Sequence, residues 1–169
     1  NICPHTIWSI IQNKQIFYKD AGQGKPILIL NGIMMSTGSW AAFEHEFTKQ
    51  NRLILLDLLD QGQSGKMDEP FDQSLQVEVV KALLDHLGVK KVNLMGTSYG
   101  GEVALQFVIK YQDCVERLIL MNTVARTNAW LKEIGDAWNM AASDPVAYYN
   151  TTIPVIYAPA FYDRKAKWM

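Results

Sequence analysis

Cysteine is scarce in this chain, and so are an excess of charge of either sign, long apolar runs and, beyond its midpoint, histidine. Cys3 and Cys114 are too few for a disulfide framework and lack metal-ligand spacing, so reduced thiols in a cytosolic protein are expected, with no zinc or redox site and no cofactor. With 16 Lys and Arg against 17 Asp and Glu, no surplus charge exists to hold nucleic acid or an anionic membrane, which argues against a polyanionic partner. Apolar runs such as Ile27–Leu30 and Leu53–Leu56 fall far short of the roughly 20 residues of a membrane helix. The N-terminus shows no basic-then-apolar signal pattern, and the expected location is cytoplasmic. The shortage of histidine has the sharpest chemical consequence: the chain holds 3, His5, His45 and His86, and none lies further on.

What is present is the composition of a globular protein, 49% hydrophobic and 20% charged over 169 residues, enough to bury a sizeable core. Thr6–Gln12 and Gln15–Lys19 read as two antiparallel strands around Asn13-Lys14, at one edge of a sheet. Ile27–Leu30, Leu53–Leu56 and Leu118–Met121 are continuous apolar runs, the pattern of parallel strands covered on both faces. Between them, Ser39 can cap a helix with Trp40, Phe43 and Phe47 on its buried stripe and Glu44, His45 and Lys49 turned outward or sideways. Asp72 or Ser74 opens a second helix with Leu75, Val79, Leu83 and Leu87 inside and Gly88 at its end. Strand and helix alternate four times, which predicts an α/β fold with a mostly parallel sheet and helices on both faces. From Ala129 the aromatic spacing is helical or irregular and no strand run follows; Pro154 and Pro159 are read as breaks. Residues 1–125 are thus expected to form the core and 126–169 part of a helical lid.

The chain is organised around Lys91–Val108, where an apolar run meets Gly96-Thr97-Ser98-Tyr99-Gly100-Gly101 and continues into a helical pattern. Ser98 is the centre of a G-x-S-x-G pentapeptide between strand and helix, the context in which this pentapeptide presents a nucleophile. Such a turn strains the serine backbone and leaves no room for side chains two residues to either side, a need that Gly96 and Gly100 meet. Two other glycine patterns fail: Gly96–Gly101 is not a dinucleotide-binding G-x-G-x-x-G, and Gly62–Met67 lacks the spacing and terminal Ser or Thr of a phosphate loop.

In this order and spacing, PILILNGIMMSTGSW, DLLDQGQSG, VNLMGTSYGGEVAL and RLILMNT resemble the α/β-hydrolase superfamily, in particular its capped serine esterase, lactonase and carbon–carbon hydrolase branch. The resemblance implies Ser98 as nucleophile and the backbone N–H of Tyr99 as one oxyanion donor. It implies Ile33 N–H as the other, with Met34 next, from the loop Asn31-Gly32-Ile33-Met34, where relatives usually read His-Gly. Gly96, Gly100 and Gly101 shape the elbow, while Met35, Trp130 and Trp138 line a pocket for a small-molecule acyl substrate. Dehalogenase and epoxide hydrolase relatives are disfavoured, because they carry aspartate where this chain has Ser98.

The family's acid and histidine follow the nucleophile at the ends of later strands. Here no histidine follows Ser98, Asn122-Thr123 supplies no acid after the last strand run, and Asp136, Asp144 and Asp163 read as solvated or capping charges. Glu102 reads as serving the dipole of the elbow helix. The expectation is therefore the N-terminal part of a longer serine hydrolase, inactive alone and with an unpaired strand edge near Leu118–Met121. The other reading is a ligand-binding module on a hydrolase scaffold. No feature of the sequence sets an oligomeric state.

Overall fold

A computed structural model describes residues 3–8 and 14–165. Two compact units emerge, residues 1–125 and 126–169. The first is built on a six-stranded sheet of order β1-β2-β4-β3-β5-β6, with β1 (Cys3–Trp8), β2 (Gln15–Gly22), β3 (Lys25–Leu30), β4 (Asn51–Leu56), β5 (Val92–Thr97) and β6 (Val115–Met121). β1 pairs antiparallel with β2, and β2 antiparallel with β4; β4, β3, β5 and β6 run parallel. The first strand thus lies at the sheet edge but is centred earlier than the sequence suggested, with Trp8 opposite Gln15. The rest of the expected strand to Gln12, and Asn13 of the turn, lie outside the described residues.

Alternation along the strands feeds two apolar layers, as expected for strands covered on both faces. Leu28, Leu30, Ile54, Leu56 and Leu94 pack with Val77, Val80, Leu83 and Leu84 of α2 (Ser74–His86) and Val103, Ala104 and Phe107 of α3 (Tyr99–Lys110). Ile29, Leu53, Leu55 and Met95 form the opposite layer with Trp40, and Phe47 of α1 (Glu44–Thr48) packs against it. Because the four parallel strands end at one edge, the loops after β3, β4, β5 and β6 gather there.

The segment between β3 and β4 departs from expectation. Ser36, not Ser39, caps a 3-10 turn over Thr37–Trp40, accepting a hydrogen bond from Gly38 N, and α1 begins only at Glu44. The break rotates the stripe, leaving Phe43 55% exposed while Glu44 is buried against Lys19 at 2.8 Å. A single helical period carried through Ser39–Phe47 could not foresee this phase change. β6 has a hydrogen-bonded neighbour on one side only among the described residues. Ile119, Leu120 and Met121 on it are 40 to 46% exposed. An unpaired apolar edge strand templates association. The 169-residue polypeptide expressed by itself is expected to self-associate in light scattering, and Ile119→Lys to reduce that association; a monodisperse wild-type monomer would contradict this.

The second unit holds α4 (Ala129–Ala141), α5 (Pro145–Ile156) and α6 (Pro159–Lys165). Asn128 caps α4 by accepting from Leu131 N, and Asp144 caps α5 by accepting from Val146 and Ala147 N. Pro159 opens α6, but Pro154 does not break the chain: it sits in the last turn of α5, where the missing N–H removes one hydrogen bond and the helix ends two residues later. No helix among the described residues is long and apolar enough to cross a membrane.

Candidate active site

Ser98 occupies the junction of β5 and α3 with φ 50° and ψ −118°, a conformation a residue with a Cβ adopts at a cost of about 1–3 kcal/mol. Its surroundings hold it there. Ser98 N donates to Met121 O at 2.9 Å, and Ser98 O accepts from Gly101 N at 2.8 Å, Glu102 N at 3.2 Å and Thr123 Oγ1 at 2.8 Å. The close approach of strand end and helix start leaves no space for side chains at the flanking glycines. A Cβ on Gly96 would lie 2.5 Å from Gly100 O, one on Gly100 would lie 2.3 Å from Leu30 O, and one on Gly101 would lie 2.6 Å from the Thr123 side chain. Ser98 is thereby lifted, half-buried, at the carboxyl edge of the sheet, where the first N–H groups of α3, Tyr99's included, have no partner within the helix.

The loop after β3 approaches this serine from the neighbouring strand. A Cβ on Gly32 would come within 3.4 Å of Ser98 Cβ. Gly32-Ile33-Met34-Met35 is a β-turn closed by Met35 N donating to Gly32 O at 3.2 Å, with Met34 at φ 62°. Asn31, fully buried, secures the base of the loop: its Nδ2 donates to Leu56 O at 2.8 Å and its Oδ1 accepts from Trp40 Nε1 at 2.8 Å. The amide in place of the usual histidine therefore ties β3, β4 and the 3-10 turn together.

Asp57 is a part of the site that sequence reasoning missed. Completely buried, its carboxylate accepts from Thr37 N at 2.6 Å and Gln63 N at 2.9 Å, joining the loops after β3 and β4, while Gly62 presses so close that a Cβ there would lie 2.1 Å from Asp57 Oδ2. The available signal was a lone acid at the end of an apolar strand, with glycine five residues on. Asp57→Ala would leave the buried Thr37 N–H unpaired and take the acceptor from the more exposed Gln63 N–H, and is expected to cost about 2 kcal/mol, read as a lower urea midpoint. Asp57→Asn keeps one acceptor and should cost less.

A cavity of about 480 Å³ opens beside the elbow, its apolar wall formed by Ile33, Met34, Met35, Leu59, Phe71 and Tyr99. Ser98 adjoins this space without lining it. Gln76, almost fully buried, grips the backbone of Leu59 from both sides, its Oε1 accepting from Leu59 N and its Nε2 donating to Leu59 O, each at 3.0 Å. Burial pushes the Tyr99 phenol above its ordinary pKa, and the nearby Asp60 and Glu102 charges act in the same direction against hydrogen bonds with Gln76 and Gln73, so the ring stays neutral at physiological pH. Trp130 and Trp138 belong to the second unit, where Trp138 Nε1 donates to Thr151 O at 3.3 Å.

No histidine joins Ser98 at the strand ends. His86 lies at the far end of α2, its Nε2 3.3 Å from the Tyr18 hydroxyl; His45 is exposed on α1; His5 is on the edge strand β1, opposite Tyr18. Asp136 pairs with Lys132, Glu102 accepts from Gln73, and Thr123 is committed to Ser98 O. Among the described residues no three or more His, Cys, Asp or Glu converge as metal ligands, and Cys114 is a free thiol.

A parallel sheet ending in a strained serine turn, with the loop of the neighbouring strand folded against it, defines a class, and the comparisons agree: the α/β hydrolase fold family matches residues 25–159, and the chain belongs to the α/β-hydrolase superfamily. It is 32% identical over 116 residues to the soluble epoxide hydrolase of Corynebacterium sp. (strain C12), covering 69% of this chain and 41% of that protein. It is 31% identical over 108 residues to the 2-hydroxymuconate semialdehyde hydrolase of Pseudomonas sp. (strain CF600), covering 62% of this chain and 38% of the relative. Among solved structures, MGS-M2, an α/β hydrolase enzyme from a Medee basin deep-sea metagenome library, superposes with a TM-score of 0.94 at 46% identity, over 98% of this chain and 62% of that one. The chain thus spans about 40% of the length of these two curated relatives.

Proposed function

We propose that the protein is a serine hydrolase that opens an ester, lactone, thioester or related carbonyl substrate through an acyl-enzyme. The observation that carries this reading is the backbone of Ser98, held at φ 50° on a strand-to-helix turn by bonds at its own N and O, with Gly32 folded against it. Strain maintained at one serine by so many contacts is the usual mark of a functional position. Ser98 Oγ attacks the carbonyl carbon, and the N–H groups of Tyr99 and Ile33 stabilise the oxyanion. A base takes the hydroxyl proton and returns it to the leaving group, and water then releases the acyl group.

A serine hydroxyl needs such a base, and none of the chain's histidines is placed to serve, so the reading assigns base and acid to residues outside these 169. The apolar wall of thioether and aromatic side chains suits an acyl or ring group. The named relatives include an epoxide hydrolase and a semialdehyde hydrolase, and the serine at the elbow is what favours carbonyl over epoxide substrates here.

The test is fluorophosphonate labelling of the protein as its gene encodes it, followed by peptide mapping. An adduct on Ser98 is the expected result. A folded protein that takes no label would leave a ligand-binding scaffold as the better reading.

A further inference from the structure

The carbonyl of Gly32 accepts two hydrogen bonds, one from Met35 N at 3.2 Å within its own turn and one from Gln61 Nε2 at 3.0 Å, from the loop after β4. The peptide joining Gly32 to Ile33 is trans, so its C=O and N–H point to opposite sides. Whatever fixes the Gly32 oxygen therefore aims the Ile33 N–H. Gln61 is itself held in a pair of turns, its N donating to Leu58 O and its O accepting from Ser64 N, each at 3.0 Å.

The same side chain carries a cost. Its Oε1 is buried with no hydrogen-bond partner among the described residues, a state that counts against the fold. Turning the amide over brings no relief, since Oε1 would then face the Gly32 oxygen, acceptor against acceptor. An apolar side chain of similar size would avoid the penalty. What glutamine provides that such a residue could not is one N–H to Gly32 O. The turn it braces also carries the strain of Met34 at φ 62°, so a second donor on Gly32 O adds a restraint that the closing bond does not give by itself.

We infer that Gln61 is a positioning residue for the oxyanion donor: by donating to Gly32 O it orients the Gly32–Ile33 peptide and polarises it, making Ile33 N–H a better and better-aimed donor. This rests on the serine hydrolase reading above and adds to it a residue that touches neither substrate nor nucleophile.

The experiment uses the protein as its gene encodes it, with p-nitrophenyl butyrate as substrate and a fluorophosphonate as covalent probe. Gln61→Met removes the donor and the stranded oxygen together. It is expected to lower kcat and the phosphonylation rate about 10- to 100-fold, with KM little changed and thermal stability equal or higher. Affinity for a trifluoromethyl ketone, which forms a tetrahedral adduct, should fall by the same factor as kcat/KM. Gln61→Glu adds a pH signature, because a protonated carboxyl can donate to Gly32 O and a carboxylate cannot. Its kcat should fall as the new carboxyl ionises, a limb absent from wild type, and this reads out even if Gln61→Met fails to fold. Unchanged kcat in Gln61→Met, or loss of stability with no new pH limb in Gln61→Glu, overturns the inference. Ser98→Ala separates the two readings: activity surviving there removes the serine mechanism itself, whereas activity lost there but intact in Gln61→Met removes only the role of Gln61.

Discussion

Ser98→Ala in the gene-encoded protein is expected to abolish fluorophosphonate labelling and to reduce ester hydrolysis by about 10⁵-fold, leaving fold and thermal stability unchanged. The size of the loss follows from the chemistry: an acyl-enzyme needs an oxygen at this position, and no other hydroxyl could take over from the same turn. Thr97 precedes it on β5, with its Oγ1 buried, and Thr123 Oγ1 is bonded to Ser98 O. Stability should hold because the contacts that fix residue 98 run through its backbone N and O, which alanine retains. Ser98→Gly makes a sharper comparison. Glycine accepts positive φ readily, so this variant should be as inactive as Ser98→Ala but more stable by about 1 kcal/mol, read as a raised denaturant midpoint. Equal stability in the two variants would show that the turn is not strained, and substantial hydrolysis by either would remove Ser98 from the mechanism.

Gly100→Ala should be among the most damaging single methyl additions to the fold. The new Cβ would lie 2.3 Å from Leu30 O and 2.6 Å from Asn31 O, where real Cβ atoms are not found. These are backbone atoms of β3 and of the loop it enters, fixed by the parallel pairing of β3 with β4 and β5, so no side chain can swing aside. Relief requires α3 to withdraw from the sheet, uncovering Val103, Ala104 and Phe107, all fully buried. Ordinary overpacking costs about 1–3 kcal/mol, and a clash with fixed backbone is expected to exceed that, at about 4 kcal/mol or more. Against a typical total of about 5–15 kcal/mol, this shows as loss of soluble protein or a much lower melting temperature. Gly135→Ala is the control. Within α4 an added Cβ meets nothing within 4 Å, so that substitution should be neutral or stabilising by up to about 1 kcal/mol. Similar effects at the two glycines would refute the steric account.

The sequence was most legible where the determinants are contiguous. Gly96–Gly101 could be placed between a strand and a helix because the steric demand of that turn and the change of period around it both fall within about eighteen residues. Buried parallel strands announced themselves as unbroken apolar runs, as at Ile27–Leu30 and Leu53–Leu56, which the structure extends by two residues each. Legibility failed where the outcome turned on a partner distant in the chain. Glu44 is drawn inside by Lys19, 25 residues away, and Phe43 turned out, although spacing alone favoured the reverse. Pro154 is tolerated because of where in α5 it falls, which the residue type does not disclose.

By itself, then, the sequence determined the fold class and the strand-turn-helix around Ser98, since backbone sterics and apolar period act between neighbours. Only the tertiary structure decided how the loops at the sheet edge are braced. The order β4-β3-β5 makes neighbours of strands far apart in the chain. It sets Gly32 beside Ser98, the Asp57 carboxylate under Thr37 N, and the Gln61 amide on the carbonyl that precedes Ile33. Those pairings span 20 to 66 residues of chain, and no local propensity carries information across such a span. They arise because buried donors and acceptors must find partners, and strand order determines which partners are within reach.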